Sequence, residues 1–596
     1  MNSVEPERRV ADQAEASVRQ AQDGGPGKDR RGRGVPLVVG VTGHRDLRGE
    51  EEGFIKDRVR AFFDVLVTQF PDLPLLVLTP LAEGADRIAA EVARERGIPL
   101  VVLLPMPENL YQSDFQGESL AEFQAMRRLG ECIELPLLPG LEESDVRAPG
   151  AGRDRQYAQL GAYLAAHSHI LLAIWDGKPS SAPGGTGHVI KFHQHDIIDL
   201  IAEGQQRSPI DFTEDESDLV YHIVCSRKES GPPAAGLEPG QTFWFTRDEI
   251  KPRTLYLPDR YRLVFERMAE FSADLSEPFD PAEFTPLLPS EELAGCGRGA
   301  RNIDSLYHRA DALARRYQRY FHRETRGTLT LGLLAGASFV SYADWPGLSF
   351  MIYPYIFCIA LMLVLRWLDR THSWQRKFQD YRVLAEGLRV QFYWAVAGVQ
   401  MENPSRFSHD SFLKRQDLEL GWIRNVMRYA GFRADSTDQA STDERVALCT
   451  EFWVKDQYDY YRRRAAERAG RHGITSAIGL VSFVGLLGAA ITLATVRDLT
   501  DTPVGSMLIA LMGLLPFVFA ARQNYALRLA EREMMVQYQH NERIFSNAIS
   551  LMERAPTLPV KVDILRAAGE AALEENGQWI LRQRERPIAA TQQVQG

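Results

Sequence analysis

GITSAIGLVSFVGLLGAAITLATV, from Gly473 to Val496, runs for 24 residues without a charged side chain. A helix of about 20 apolar residues spans the hydrocarbon core of a bilayer, so this run reads as a transmembrane helix. Three more uncharged runs accompany it: Gly327 to Ala343, Trp345 to Leu365 and Thr502 to Ala521. They form two close pairs, which makes the second half an all-α membrane region with four spans in two hairpins (327–343 with 345–365, and 473–496 with 502–521). Mean hydropathy over all 596 residues is negative, because the spans are a small share of a chain that is otherwise polar.

Basic residues orient the hairpins. Arg315, Arg316, Arg319, Arg323 and Arg326 precede the first span, and Arg366 and Arg370 follow the second. Arg462, Arg463, Arg464, Arg468 and Arg471 precede the third, and Arg522 and Arg528 follow the fourth. By the positive-inside tendency these ends face the cytoplasm, which places both termini and the first half there, in a multi-pass inner-membrane protein. Buried core helices are the competing reading, but they do not account for this asymmetry.

The two membrane halves look like a repeat. Each has a basic, aromatic helical run (Tyr317 to Arg326; Tyr458 to Arg471), a hairpin, and a charged amphipathic run (Asp369 to Trp394; Arg522 to Ile549). Pro354 and Pro516 lie inside the second span of each pair and are expected to kink it. Gly332 with Gly336, and Gly485 with Ala489, have the small-xxx-small spacing of close helix contacts. No span holds an ionisable residue, which argues against an ion-coupled transporter. A pore would need several subunits, lined by small or hydroxyl groups such as Thr330, Ser338, Ser341, Ser482 and Thr492. Plain anchoring is the other option.

A formal net charge of -10 argues against a nucleic-acid partner, since phosphate recognition needs a basic face. Cys132, Cys225, Cys296, Cys358 and Cys449 are scattered with no CxxC pair, which suggests a reducing compartment and no structural zinc site. Residues 1–34 lack the apolar core of a signal peptide and read as a disordered tail.

The first half alternates short apolar runs with helical patterns. Pro36 to Val41, Leu75 to Thr79, Leu100 to Leu104, Ile133 to Leu137 and Ile170 to Trp175 read as buried parallel strands. Phe54, Val59, Phe62, Phe63, Leu66, Val67 and Phe70 mark one intervening helix, and Ile88, Ala89, Val92 and Ala93 another. The fold expected is an α/β doubly wound parallel sheet, in which ligands bind at the carboxyl ends of the strands beside helix N-termini.

Three loops at those ends are rich in chemistry: Gly40 to Asp46 (GVTGHRD), Leu81 to Arg87 (LAEGADR), and Trp175-Asp176-Gly177 continuing to Pro183-Gly184-Gly185-Thr186-Gly187. Glycines let backbone approach a phosphate, and Arg45 or Arg87 adds a cation. Each loop also has an ordinary structural use: Asp86 favours the first turn of its helix, and Arg87 can pair with Asp46. Three such loops on one edge point to a nucleotide. The candidate binding residues are Gly43, His44, Arg45, Glu83, Gly84, Ala85, Asp86, Arg87, Tyr157, Trp175, Asp176, Gly184, Gly185, Thr186 and Gly187. Tyr157 and Trp175 are included as stacking faces for a base, although both also suit a core. His188, His193 and His195 lack accompanying carboxylates or cysteines, so no metal site is expected. Ser180, Ser181 and Thr186 lack the His and Asp neighbours of a nucleophilic triad.

Residues 36 to about 205 resemble a SLOG domain, the Rossmann-like superfamily that includes the LOG phosphoribohydrolases and nucleotide sensors of bacterial conflict systems. The likeness is carried by VGVTGHRDL (Val39 to Leu47), LAEGADRIAAEVA (Leu81 to Ala93), LLAIWDG (Leu171 to Gly177) and PGGTGHVI (Pro183 to Ile190). In the last, His188 replaces the threonine of the family's PGGxGTxxE loop, and Lys191 stands where the hydrolase has its glutamate. That glutamate is implicated in glycosidic cleavage, where a carboxylate stabilises an oxocarbenium-like centre, and a lysine cannot do so. The resemblance implies nucleotide binding with hydrolysis in doubt, unless Glu83, Asp86 or Asp176 takes over.

The membrane half resembles the SLATT group of effectors, proposed to form pores in antiviral systems. AEGLRVQFYWAVAG (Ala385 to Gly398), WVKDQYDYYRRRA (Trp453 to Ala465) and ENGQWILRQRERP (Glu575 to Pro587) carry the likeness. The organisation expected is a tail (1–34), a SLOG-like domain (35–205), an insert with an edge strand at Val220 to Val224 (206–300), a first membrane segment (301–400), a linker (401–449) and a second membrane segment (450–596). The function this implies is a sensor in which a cyclic nucleotide or ADP-ribose derivative controls a homo-oligomeric pore in the lipid bilayer. A membrane-tethered nucleoside 5'-monophosphate phosphoribohydrolase and a ligand-free scaffold are the alternatives.

Overall fold

The computed structural model describes residues 34–179, 184–195, 219–246, 253–279, 284, 286–399, 408–412, 418–434, 441–496, 500, 502–528 and 531–592. The expected tail over 1–34 (but for Gly34), Ser180, Ser181 and Pro183, and parts of the insert and of the linker lie outside the described residues. The chain forms two compact units. The first comprises Met1–Phe284, Pro289–Arg309 and Gly387–Ala440; the second comprises Thr285–Leu288, Ala310–Glu386 and Ser441–Gly596.

The first unit is built on a seven-stranded sheet ordered β4-β3-β2-β1-β5-β6-β7. Its strands are β1 (Leu37–Gly43), β2 (Leu75–Thr79), β3 (Leu100–Leu104), β4 (Glu131–Glu134), β5 (Ile170–Trp175), β6 (Val220–Val224) and β7 (Thr242–Phe245). All pairs are parallel except β6 with β7. Every residue of β2 and β3 is buried, as expected of strands covered on both faces. Helix α1 (Glu52–Gln69) turns Ile55, Val59, Phe62, Phe63 and Leu66 inward, the i, i+4, i+7 stripe of an amphipathic helix. α2 (Ala85–Glu95), α3 (Glu108–Tyr111), α4 (Gly117–Arg127), α5 (Ala151–Ala166) and α6 (Thr186–His195) complete the layers, followed by α7 (Asp259–Leu275).

β4 begins two residues before the expected run and ends ahead of Pro136, which has no N–H to give a ladder. β6 is an inner strand, with β5 on one side and β7 on the other, which corrects its expected place at the sheet edge. β7 supplies that edge, and its Trp244 meets Tyr221 of β6 edge-on at 4.7 Å between centroids, while Tyr221 stacks on Phe62 of α1 at 4.5 Å.

α8 (Arg298–Asp344) belongs to the first unit through Arg309 and to the second from Ala310. α9 (Ile352–His372) and α10 (Trp374–Ala397) follow. Within the stretch read as a linker, α11 (Gly421–Gly431) is buried on nearly all sides in the first unit and packs on α7. His169 holds it: Nδ1 accepts from the Val38 amide at 3.0 Å while Nε2 lies 2.9 Å from the Asn425 carbonyl. Burial drives the His169 pKa down to about 3, so the ring stays neutral. The Tyr163 hydroxyl donates to the Phe432 carbonyl nearby.

The second unit is helical, adding α12 (Asp456–Thr495), α13 (Pro503–Arg528), α14 (Glu531–Arg554) and α15 (Leu558–Gln592). Among the described residues three helices are long and apolar enough to cross a membrane: Gly347–His372, Ser476–Thr495 and the one beginning at Pro503. Their apolar side chains point outward, with Tyr353, Val481 and Met507 each about 70% exposed. The run 327–343 is the end of α8 and is diluted by Gly, Ser and Thr. Glycines of three helices make close contacts: a Cβ on Gly336 of α8 would lie 2.7 Å from Phe517, one on Gly513 of α13 2.8 Å from Val340, and one on Gly485 of α12 3.2 Å from Leu515. Each basic run is continuous with the apolar run after it, in α8 and again in α12. Pro516 lies inside α13, but Pro354 sits in the first turn of α9, where a missing N–H costs no helical bond. The expected kink at Pro354 is therefore corrected. Glu324, fully buried, receives Arg528 Nη1 at 2.8 and 3.1 Å and the Thr328 hydroxyl at 3.0 Å, joining α8 to α13.

Candidate functional site: the cleft at the strand ends

Strand order reverses between β1 and β5, so the loops leaving these neighbours diverge and open a crevice at their carboxyl ends. A cleft of about 520 Å³ lies there. The β1 loop contributes Thr42, Gly43, His44, Arg45 and Asp46; the β2 loop contributes Pro80, Ala82 and Asp86; and the β5 loop contributes Asp176, Lys178 and Pro179. Gly184, Gly185 and Thr186 bring the start of α6, whose first-turn amides have no intrahelical acceptor. Tyr157, Leu160, Gly161 and Leu164 form one wall at the i, i+3, i+4, i+7 positions of α5.

Two glycines make the loops possible. Gly84 has φ of +76°, and a Cβ there would lie 2.5 Å from the Arg45 carbonyl oxygen. Gly184 has φ of +69°, and its Cβ would meet Tyr157 at 2.8 Å. Only glycine adopts this backbone at such close range without strain.

The charged groups fall into separate sets. His44 Nε2 lies 3.0 Å from Asp176 Oδ1, which also accepts the Lys178 amide at 3.0 Å. Burial lowers the His44 pKa, and the Asp176 carboxylate offsets part of that shift. Arg227 donates from Nε to Asp46 at 2.8 Å. Burial would raise the Asp46 pKa, but the Arg227 bond and charge outweigh it and hold the carboxyl below its usual range. Asp114 gathers Arg153 at 2.7 Å, Arg45 at 3.8 Å and the Tyr157 hydroxyl. Tyr157 is pushed up to about 12 by burial, reinforced by Asp114.

Asp86 differs from the others. Its Oδ2 accepts the Ala82 amide at 3.2 Å, while Oδ1 is buried with no partner. Burial pushes its pKa up to about 7, against the opposing pull of Arg45 and the Ala82 amide.

Of the residues expected at the site, the fold brings Gly43, His44, Arg45, Asp86, Tyr157, Asp176, Gly184, Gly185 and Thr186 to the cleft wall. Glu83, Gly84, Ala85, Arg87, Trp175 and Gly187 are not on it. Glu83 bonds Ser119, and Arg87 turns to Glu122 at 2.6 Å and lies over Phe115 at 4.9 Å. Gly84 and Ala85 support the β1 loop, the Ala85 amide donating to the His44 carbonyl at 3.1 Å. Trp175 donates its indole N–H to the Lys178 carbonyl at 3.0 Å. Lys191 is exposed on α6 away from the wall, and His193 spans the carbonyls of Ala165 and Leu219. Among the described residues no group of three His, Cys, Asp or Glu side chains is placed to hold a metal ion. Sequence reasoning missed Tyr111, Lys178 and Arg227 on the wall and Asp114 behind it. The helical spacing of Tyr157 to Leu164 was the available signal for the α5 face.

No protein-family model matches this chain, and no curated protein matches it. Its function has to be read from the cleft and the apolar helices.

Proposed function

We propose that this protein is a membrane-anchored nucleotide sensor and effector. One observation carries the reading: a cleft of nucleotide size at the switch point of a doubly wound sheet, sharing a chain with helices apolar enough to span a bilayer. A nucleotide-derived ligand, such as a cyclic nucleotide or an ADP-ribose derivative, places its phosphate on the amides of Gly185 and Thr186. Arg45, Lys178 and Arg227 supply the nearby positive charge, and Tyr157 offers an aromatic face.

In this proposal the SLOG-like unit lies in the cytoplasm, and the SLATT-like unit crosses the inner membrane four times, with 327–343 as a fourth span. Its small-residue contacts with α13 make it the inner helix of the bundle, which is why it is the least apolar of the four. Subunits associate in the bilayer into a pore or disrupting module used in antiviral defence. The ligand acts by binding one state more tightly than the other.

Dye release from liposomes holding the full-length protein tests the proposal. Release that rises with a bound nucleotide supports it, and release indifferent to every nucleotide that binds the cleft refutes gating. The Asp176 and His44 pair, with Asp86 elsewhere on the same cleft wall, also favours a second reading: a phosphoribohydrolase in which these groups handle protons. Release of free base from nucleoside monophosphates that disappears in Asp176→Ala would establish that activity.

A further inference from the structure

Asp86 is the one carboxyl group on the cleft wall that the protein leaves half unused. Asp46 has Arg227, and Asp176 has His44 and the Lys178 amide. Asp86 makes no ion pair among the described residues, and its Oδ1 has no hydrogen-bond partner although the side chain is 97% buried. An unmet carboxyl oxygen at that depth costs free energy unless something in the cleft meets it.

The surrounding groups define what that is. From the β1 loop comes the Arg45 guanidinium, drawn toward Asp114 and Tyr157. From the β2 loop comes the Ala82 amide, and from α3 the buried Tyr111, whose hydroxyl donates to the Pro80 carbonyl at 3.1 Å. Arg87, next along the same helix, is committed to Glu122. Arg45 and Arg87 pull on Asp86 without bonding it, and an anion in the same cleft offsets the pull of Arg45. The loops after β2 and β5 flank β1, so their ends are about 10 Å apart, two strand spacings. A nucleotide whose phosphate sits on α6 spans that distance.

We propose that Asp86 is the specificity-determining residue of this cleft: in its protonated form it donates from Oδ1 to an acceptor atom of a nucleotide whose phosphate rests on the start of α6. The inference rests on the nucleotide reading of the cleft and names the chemistry of its far end. Burial, opposed by Arg45, the Ala82 amide and Arg87, brings the carboxyl to about 7, and a bound phosphate raises it further by repulsion. Binding above neutral pH therefore takes up one proton. His44, also on the cleft wall, has its pKa lowered by burial, with Asp176 opposing the shift.

The test is calorimetry on the full-length protein in detergent from about pH 6 to about pH 9. The probes are ADP-ribose, cyclic AMP and a cyclic dinucleotide, whose phosphodiester groups do not titrate in that range. Two buffers of different ionisation enthalpy count the protons. For a probe that binds, affinity is expected to be flat up to about pH 7 and to fall about tenfold per unit above it, with about one proton taken up. Asp86→Asn, which keeps the shape and a donor, loses the pH dependence and the proton uptake; Asp86→Ala loses affinity at every pH. A probe that binds the wild type without pH dependence, or a dependence that survives in Asp86→Asn, overturns the inference while leaving nucleotide binding intact. If no probe binds at any pH, the nucleotide reading falls, and the inference falls with it.

Discussion

Replacing Arg528 by alanine removes the only cation bonded to Glu324 among the described residues, a carboxylate with no solvent exposure. What remains is a buried charge with hydroxyl contacts from Thr328 at 3.0 Å and Thr325 at 3.3 Å. Breaking such a pair from one side costs about 3–5 kcal/mol, and the partial exposure of Arg528, 24%, places this case near the lower end. About 3 kcal/mol corresponds to roughly 6–12 °C in apparent melting temperature for a unit of this size. The assay is thermal unfolding of the detergent-solubilised protein, with Arg464→Ala as the exposed comparison. Arg464 pairs with Glu467 at 3.0 Å with both side chains about half exposed, so its loss costs at most about 1 kcal/mol. The double replacement Glu324→Gln with Arg528→Met should recover most of the loss, because both charges then leave together. If Arg528→Ala costs no more than Arg464→Ala, α8 and α13 are not joined by a buried charge pair.

Three other expectations follow from single side chains. Gly84→Ala puts a Cβ 2.5 Å from the Arg45 carbonyl at a φ of +76°, a strain of about 1–3 kcal/mol that displaces the β1 loop; nucleotide-induced thermal stabilisation should fall by at least tenfold in ligand concentration. Gly336→Val overpacks against Phe517 and should destabilise the second unit by about 1–3 kcal/mol, whereas Gly488→Ala, with open space around its Cβ, should be neutral in the same melting assay. His169 has a folded pKa lowered to about 3, so its contribution is present above the unfolded value near 6.5 and is lost as pH falls through that window. Stability should drop by about 1.4 kcal/mol per pH unit there, and less steeply in His169→Asn, as followed by protease sensitivity against pH.

The sheet was legible because its strands are buried on both faces: β2 and β3 are unbroken apolar runs whose ends match the expectation to the residue. β7 was not, since Thr242–Phe245 is four residues long and only Trp244 in it is fully buried. The three cleft loops were legible because charged and glycine residues follow directly on apolar strands. Which of those charges face inward was not. Asp86 and Arg87 are adjacent, but a helix turns about 100° per residue, so one faces the cleft and the other faces Glu122. Asp114 and Arg227 arrive from distant segments, and no local pattern announces them. Three apolar helices were legible by uncharged length, and 327–343 is less apolar where Gly336 lets Phe517 of α13 approach.

The interrupted order of the two units has a consequence for synthesis. The strands leave the ribosome first, yet the helix whose Asn425 carbonyl receives His169 is translated only after α8, α9 and α10. A nascent chain thus carries His169 and Tyr163 without their acceptors until α8, α9 and α10 have been translated. Fragments ending before Gly387 lack those acceptors, so the first unit is complete only when residues Gly387–Ala440 accompany it.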